Sequence, residues 1–202
     1  MRHLLILPFV LCFAAPALAG QAEAEVSAAL VGAADLGPDA RANFSPPDSN
    51  EFVLGVVLAQ ERGKLLVLQK QPAGGYSAVA ASAAFEHSFG PRHYVEIVQA
   101  SGERRFSIQV NTHAECGIQV ETFRIARAAG TWRVAGYDKS EPDTQTCDVN
   151  LTSRKLSANL LTHRVNVVAY RNGKAVKRES HLATVPAPEL GAFSFSMFGQ
   201  EP

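Results

Sequence analysis

The feature that most constrains the fold is a succession of short β-rich segments separated by turns of glycine and polar residues. Residues 51–82 hold three apolar segments joined by two short turns, which is the pattern of an antiparallel meander. Apolar side chains recur at every second position in Phe106, Ile108 and Val110, and again in Phe123 and Ile125, as in strands that bury one face. Asn172-Gly173 predicts a tight hairpin, because both residues tolerate the positive φ of a type I′ turn. With no long helical period in view, the sequence predicts a mainly β, antiparallel, meander or sandwich-like single domain.

The first 19 residues have the pattern of a cleaved signal peptide. Arg2 gives a basic start, an apolar stretch follows, and Ala17-Leu18-Ala19 fits the A-x-A cleavage rule. The apolar stretch is too short to cross a bilayer, which takes about 20 residues. We therefore expect cleavage after Ala19 and a periplasmic or secreted protein without a membrane span. Cys12 would be lost with the signal peptide.

The rest of the chain divides into three parts by composition. Residues 20–50 are expected to form an N-terminal arm and loop, with the Ala/Glu-rich residues 20–30 as either a short helix or a loose arm. Residues 51–184 are expected to form the antiparallel β domain. Residues 185–202 are expected to be a C-terminal tail, mobile or added as an edge strand.

Cys116 and Cys147, the two cysteines left after cleavage, predict one disulfide in an exported chain. A hairpin of residues 117–126 with residues 132–138 would bring the start of its first strand near the end of its second. The disulfide would close that open end and stabilise the fold by roughly 3–4 kcal/mol in the chain-entropy treatment. A cysteine nucleophile or a metal thiolate fits less well, because an oxidising compartment disfavours a lone thiolate and no C-x-x-C spacing is present.

Strict alternation assigns two faces to the second strand of this hairpin. One face would carry Trp132, Val134 and Gly136, and the other Arg133, Ala135 and Tyr137. The polar residues 138–146 that follow are predicted to form an exposed loop.

Charge and motif content exclude several classes of function. The chain carries 19 basic and 19 acidic residues, which gives no electrostatic case for binding nucleic acid. There is no G-x-S-x-G elbow of a serine hydrolase and no glycine-rich phosphate loop. The sequence therefore predicts no catalytic residue, no metal ligand and no cofactor.

Two groups of charged residues form the candidate interaction surface: Asp138, Lys139, Glu141 and Asp143 in the predicted loop, and Arg171, Lys174, Lys177 and Arg178 around the predicted hairpin. The basic group could dock an acidic partner or an anionic wall polymer. It could equally serve only to keep an exposed edge strand from pairing.

These observations favour a soluble, non-enzymatic binding protein whose partner is unknown, with another exported protein as one candidate. The first alternative is an inhibitor or immunity-type protein that neutralises an exported toxin or cell-wall hydrolase, since a rigid β scaffold presents loops well. The second alternative is a hydrolase with an unrecognised site.

Three segments carry a resemblance to a known group of proteins: "GAADLGPDA" at 32–40, "FRIARAAGTWRVAGYD" at 123–138 and "SANLLTHRV" at 157–165. They resemble uncharacterised exported proteobacterial proteins with a degenerate FG-GAP-like N-terminal segment and a "WRxxGYD…SxNxLT" C-terminal part. The resemblance implies an exported β protein and no particular mechanism. Between Asp35 and Asp39 this chain has Leu, Gly and Pro instead of the spaced oxygen ligands of a calcium loop, so calcium is not expected.

Overall fold

Strands dominate the computed structural model, which describes residues 15–45, 51–86, 93–99, 105–148 and 150–198. The helical elements in these ranges are α1 (Ala15–Ala34) and two short 3-10 helices, Leu190–Ala192 and Phe195–Phe198. The strands are β1 (Arg41–Phe44), β2 (Phe52–Ala59), β3 (Arg62–Lys70), β4 (Tyr76–Ala81), β5 (Phe85–Glu86), β6 (His93–Gln99), β7 (Arg105–Ala114), β8 (Gly117–Ala128), β9 (Thr131–Pro142), β10 (Thr152–Asn159), β11 (Arg164–Arg171) and β12 (Lys174–Leu182).

The strands form two antiparallel sheets. The first sheet has the order β1-β2-β3-β4, with β5 also paired to β3. The second sheet runs β12-β11-β10-β9-β8-β7-β6, so each strand pairs only with its neighbours in the chain. At one side the sheets meet where the Asn43 side chain of β1 donates to the Val95 carbonyl of β6, at 3.0 Å. The predicted mainly β, antiparallel fold is confirmed.

The central strands β2 and β3 of the five-stranded sheet are buried on both faces, which explains the unbroken apolar run in β2. Phe52, Leu54 and Val56 belong to the core shared with the second sheet. Val53 and Val57 point the other way and belong to a second core beneath α1. The protein therefore has three layers, a helix, a five-stranded sheet and a seven-stranded sheet, and continuous hydrophobicity is typical of a strand covered on both sides.

Helix α1 shows that the N-terminal region is more ordered than predicted. It covers all of residues 20–30 and packs Val26, Leu30 and Ala34 onto the first sheet. These three residues are spaced four apart and lie on one face of the helix. Most of the other residues are alanine or small, which hides the periodicity, so the expectation of no long helix is wrong. Gly55 permits the close approach, since a Cβ there would lie 2.5 Å from both methyl carbons of Leu30.

A β-bulge in the β8–β9 hairpin overturns the face assignment made by alternation. Arg124 pairs with Gly136, but Ile125 pairs with Val134, so Ala135 is an extra residue in β9. The insertion turns the following residues to the opposite face. Trp132, Val134 and Tyr137 therefore all point into the core, and Tyr137 does not share a face with Arg133 and Ala135 as predicted.

The described part of the C-terminal tail is a wedge between the sheets, which differs from the predicted mobile tail or edge strand. Phe193 is 1% exposed and makes edge-to-face contacts with Phe85 of the first sheet and Phe123 of the second. Phe198 stacks on Tyr137 with ring centroids 4.8 Å apart. Leu190, Phe193 and Phe198 thus belong to the core of the β domain, although they lie outside the range 51–184.

Candidate functional site

The cysteine pair lies at the open end of the β8–β9 hairpin, as the sequence predicts. Cys116 immediately precedes β8, and Cys147 lies in the turn that follows β9. Their sulfur atoms are 2.00 Å apart and their Cα atoms 4.4 Å apart, which is disulfide distance. The pair ties the hairpin to the turn before β10, so its role is structural.

The predicted loop at residues 138–146 is instead mostly strand, because β9 continues to Pro142 opposite the long β8. Asp138 forms an ion pair with Arg124 at 3.1 Å, and Lys139 pairs with Glu141 at 2.8 Å. Asp143 is 4% exposed and its Oδ1 accepts a hydrogen bond from the Gln145 amide at 2.9 Å. These charges are engaged within the fold, so the exposed-loop prediction is wrong for residues 138–143, whereas residues 144–146 form an exposed turn.

The basic group lies on the β11–β12 hairpin. Arg171 pairs with Lys174 across a turn in which Asn172 has φ 49° and Gly173 has φ 73°, the positive values that the sequence predicts. Lys177 and Arg178 follow on β12, where Lys177 pairs with Glu179 at 2.6 Å. That hydrogen-bonded ammonium lowers the pKa of Glu179.

Strand β12 differs in its exposure from strands β7 to β11 of its sheet. Buried core residues occur on each strand from β7 to β11, whereas all nine residues of β12 are exposed. Val176 and Leu182 are 60% and 72% exposed, high values for large apolar side chains. As the terminal strand, β12 pairs with β11 on one edge, and within the described residues its other edge has no strand partner.

The two groups of predicted surface residues are not brought together. Asp138 lies in a cross-strand row with Ser157, Asn166 and Ser180, which places it three strands away from β12. At the usual strand spacing this is about 14 Å. Only the β11–β12 group forms a continuous exposed surface, and we name Arg171, Lys174, Lys177 and Arg178 with β12 the basic edge.

A buried tyrosine–carboxylate pair was missed by the sequence reasoning. The Tyr137 hydroxyl donates a hydrogen bond to Glu121, which also accepts from Gln119. Burial, followed by the hydrogen bond to Glu121, raises the pKa of Tyr137 above its ordinary value. The phenol therefore stays protonated and acts as a fixed donor, which is a structural role. The sequence does not reveal this pair, because the bulge at Ala135 turns Tyr137 to the face opposite the one that alternation predicts.

A second feature missed from the sequence is a groove on the outer face of the seven-stranded sheet, with a cavity volume of about 430 Å³. Arg105 and Arg124 line it from the outer face, and Arg127, near the end of β8, borders it from the core side. Only the cross-strand register brings Arg105 of β7 close to Arg124 of β8.

Comparison with protein-family models, with curated proteins and with solved structures gives no match for this chain. Within the described ranges, no helix has the length and hydropathy needed to cross a membrane. The same residues contain no group of three or more His, Cys, Asp or Glu that could hold a metal ion. The resemblance to exported proteobacterial proteins stays a prediction.

Proposed function

We propose that the protein is an exported, non-enzymatic binding protein that takes an extended acidic segment of another exported protein onto the basic edge. The observation that carries this proposal is the complete exposure of β12 at the edge of a long sheet. An edge strand presents unpaired backbone N–H and C=O groups, and an extended peptide can satisfy them by adding one more strand.

The charge of the hairpin supports an acidic partner. Between Arg164 and Leu182 the sequence has five basic residues and one acidic residue, Glu179, in a chain whose overall formal charge is zero. Such an edge repels a second copy of itself and attracts a segment rich in Asp and Glu. Val176 and Leu182 would supply the apolar contacts that a purely electrostatic surface lacks.

The length of β12 is sufficient for specific recognition. Nine residues in a strand extend over about 30 Å, and a bulge at Val176 interrupts the alternation of side chains between the two faces. A partner strand would pair regularly with residues 177–182, which follow the bulge. Export is supported by the signal-peptide pattern of residues 1–19 and by the cysteine pair at disulfide distance.

The test uses a short peptide in which glutamate and valine alternate, titrated against the purified protein. We expect binding to slow amide hydrogen exchange in β12, because new inter-strand hydrogen bonds protect the outer edge. Lys174→Glu combined with Arg178→Glu should weaken binding about tenfold or more, since both changes place acidic groups against an acidic strand. Arg41→Glu combined with Lys70→Glu changes the net charge equally, but on exposed residues of the first sheet, and should leave the affinity unchanged.

Unstructured polyglutamate of the same length distinguishes strand addition from general charge attraction. Equal affinity for polyglutamate, protection that is absent from β12, or equal weakening by the control pair would each reject the proposal. If the natural partner proves to be a hydrolase, its activity with and without this protein would separate an inhibitor from an adaptor.

A further inference from the structure

We infer that the outer face of the seven-stranded sheet carries a second, separate site, which binds a small ligand with two or more carboxylate or phosphate groups. The site is the groove introduced above, which we name the arginine groove. Its volume of about 430 Å³ lies in the range of small-molecule sites. Its lining includes Arg105, Ser107, Arg124, Ala126, Asn159 and Leu161. This inference does not depend on the proposed use of β12.

The cross-strand register builds the groove from residues distant in sequence. Ser107, Arg124, Gly136 and Asn159 form one row across β7, β8, β9 and β10. Arg105 pairs with Ala126 in the next row. The alternate residues of β7 and β8 are buried in the core, so these side chains belong to the opposite, outer face.

Gly136 leaves the space that the Arg124 side chain occupies beside the groove. A Cβ at this position would collide with the guanidinium group of Arg124, so Arg124 lies directly across the glycine. Its Nη2 donates to the Ala158 carbonyl at 2.7 Å, and its Nη1 contacts Asp138 at 3.1 Å. These contacts hold the guanidinium in place and involve two of its five N–H groups, so its remaining donors are already oriented.

The β-bulge at Ala135 also shapes the groove. Ala135, the extra residue of β9, lines the groove, and its carbonyl accepts a hydrogen bond from the Leu160 amide at 3.0 Å. The Ala135 carbonyl therefore has a hydrogen-bond partner, and the small side chain of Ala135 leaves the groove open. A bulge next to a cavity is a common means of shaping a binding site.

The charges of the lining residues point to an anion. Two of the arginines that line the groove, Arg105 and Arg124, lie on the outer face. No acidic residue lines the groove, although Asp138 pairs with Arg124. Arg105 is exposed and forms no ion pair with a described residue. Arg127 shares the core-side alternation of Phe123 and Ile125 and lies 5.9 Å from the centre of the Phe52 ring, so it borders the groove only at the end of β8. The planar guanidinium fork suits carboxylate and phosphate oxygens, which it binds through two parallel hydrogen bonds.

The positions of the arginines favour a ligand with more than one anionic group. Arg105 and Arg124 are diagonal neighbours on adjacent strands, which places their backbones roughly 7–8 Å apart. One oxyanion group at each guanidinium would bridge this separation. Asn159 adds a donor, since its Oδ1 accepts from the Thr162 amide at 3.1 Å and its NH₂ group remains. Leu161 and Ala126 supply apolar contact for the carbon skeleton.

The test is isothermal titration calorimetry with citrate and with pyrophosphate, each at low salt. We expect at least one of them to bind, and glycerol to show no heat of binding. Tighter binding of citrate would assign a carboxylate ligand, and tighter binding of pyrophosphate a phosphate ligand. Arg105→Gln should weaken the binding about tenfold or more, as expected for losing a charged hydrogen-bonding partner.

Two further variants separate the arginine groove from a general surface effect. Gly136→Ala should displace the Arg124 guanidinium and weaken binding to a similar degree. Arg41→Gln, on an exposed residue of the first sheet, removes the same charge and should leave binding unchanged. If Gly136→Ala fails to fold, the exposed Arg105→Gln substitution still tests the site. No binding of either anion at millimolar concentration, or equal effects of Arg105→Gln and Arg41→Gln, would overturn the inference.

Discussion

Replacing Phe193 by alanine tests whether the C-terminal segment is part of the core. The Phe193 ring lies between the sheets, with centroids 6.3 Å from Phe85 and 5.3 Å from Phe123, and is 1% exposed. Phe→Ala at a fully buried position costs about 3–5 kcal/mol, from lost burial and from the cavity left behind. Since a domain of this kind has about 5–15 kcal/mol of stability, the loss would be a large fraction of it.

The assay is equilibrium unfolding in urea, followed by the fluorescence of Trp132. We expect Phe193→Ala to lower the free energy of unfolding by about 3–5 kcal/mol without a change in the slope against urea. Ser196→Ala, at an exposed position of the same segment, should cost less than about 0.5 kcal/mol. A decrease in the free energy of unfolding of less than about 1 kcal/mol for Phe193→Ala would show that the C-terminal segment does not stabilise the core, as expected for a mobile tail.

Three further predictions concern other contacts, each measured by the same urea unfolding. Replacing Cys116 and Cys147 together by alanine should cost roughly 3–4 kcal/mol under oxidising conditions, given their separation of 31 residues. Gly55→Ala should cost about 1–3 kcal/mol, because its new methyl group collides with Leu30 and pushes α1 away. Tyr137→Phe should cost about 1 kcal/mol at neutral pH, from the hydrogen bond to Glu121. Because burial raises the folded-state pKa of Tyr137, its share of the stability is complete below pH 10 and is lost above it, so the difference from Tyr137→Phe should narrow in alkali.

Each of these predictions has an outcome that contradicts it. Equal stability of the oxidised protein and the double cysteine variant would argue against a structural bond. Gly32→Ala, which has open space around the glycine, is the control for Gly55→Ala, and equal effects would rule out the close contact with Leu30. A stability difference for Tyr137→Phe that stays constant up to pH 12 would contradict the raised pKa.

The predictable part of the fold is the part governed by regular periodicity. Residues 106, 108 and 110 alternate with polar neighbours and are buried as expected. The Asn172-Gly173 turn was predicted because its backbone requirement is local. Each of these features depends only on residues that are neighbours in the sequence, so it can be predicted without knowing how the strands pair.

The remaining features depend on contacts between distant residues. One inserted residue, Ala135, turns Tyr137 into the core, and counting alternate positions cannot detect it. Helix α1 is anchored by only three buried residues in an alanine-rich stretch, so its periodicity is weak. The arginine groove exists because register aligns Arg124 with Gly136, a pairing that no local pattern encodes.

The full exposure of β12 has a consequence for how the sheet comes apart. Because β12 buries no side chain, releasing it breaks backbone hydrogen bonds to β11 but opens no core. Local unfolding therefore begins most cheaply at this strand, and proteases should cut there before the protein unfolds globally. A bound partner strand would block this local unfolding, so occupancy of the basic edge would also determine how long the protein resists proteases.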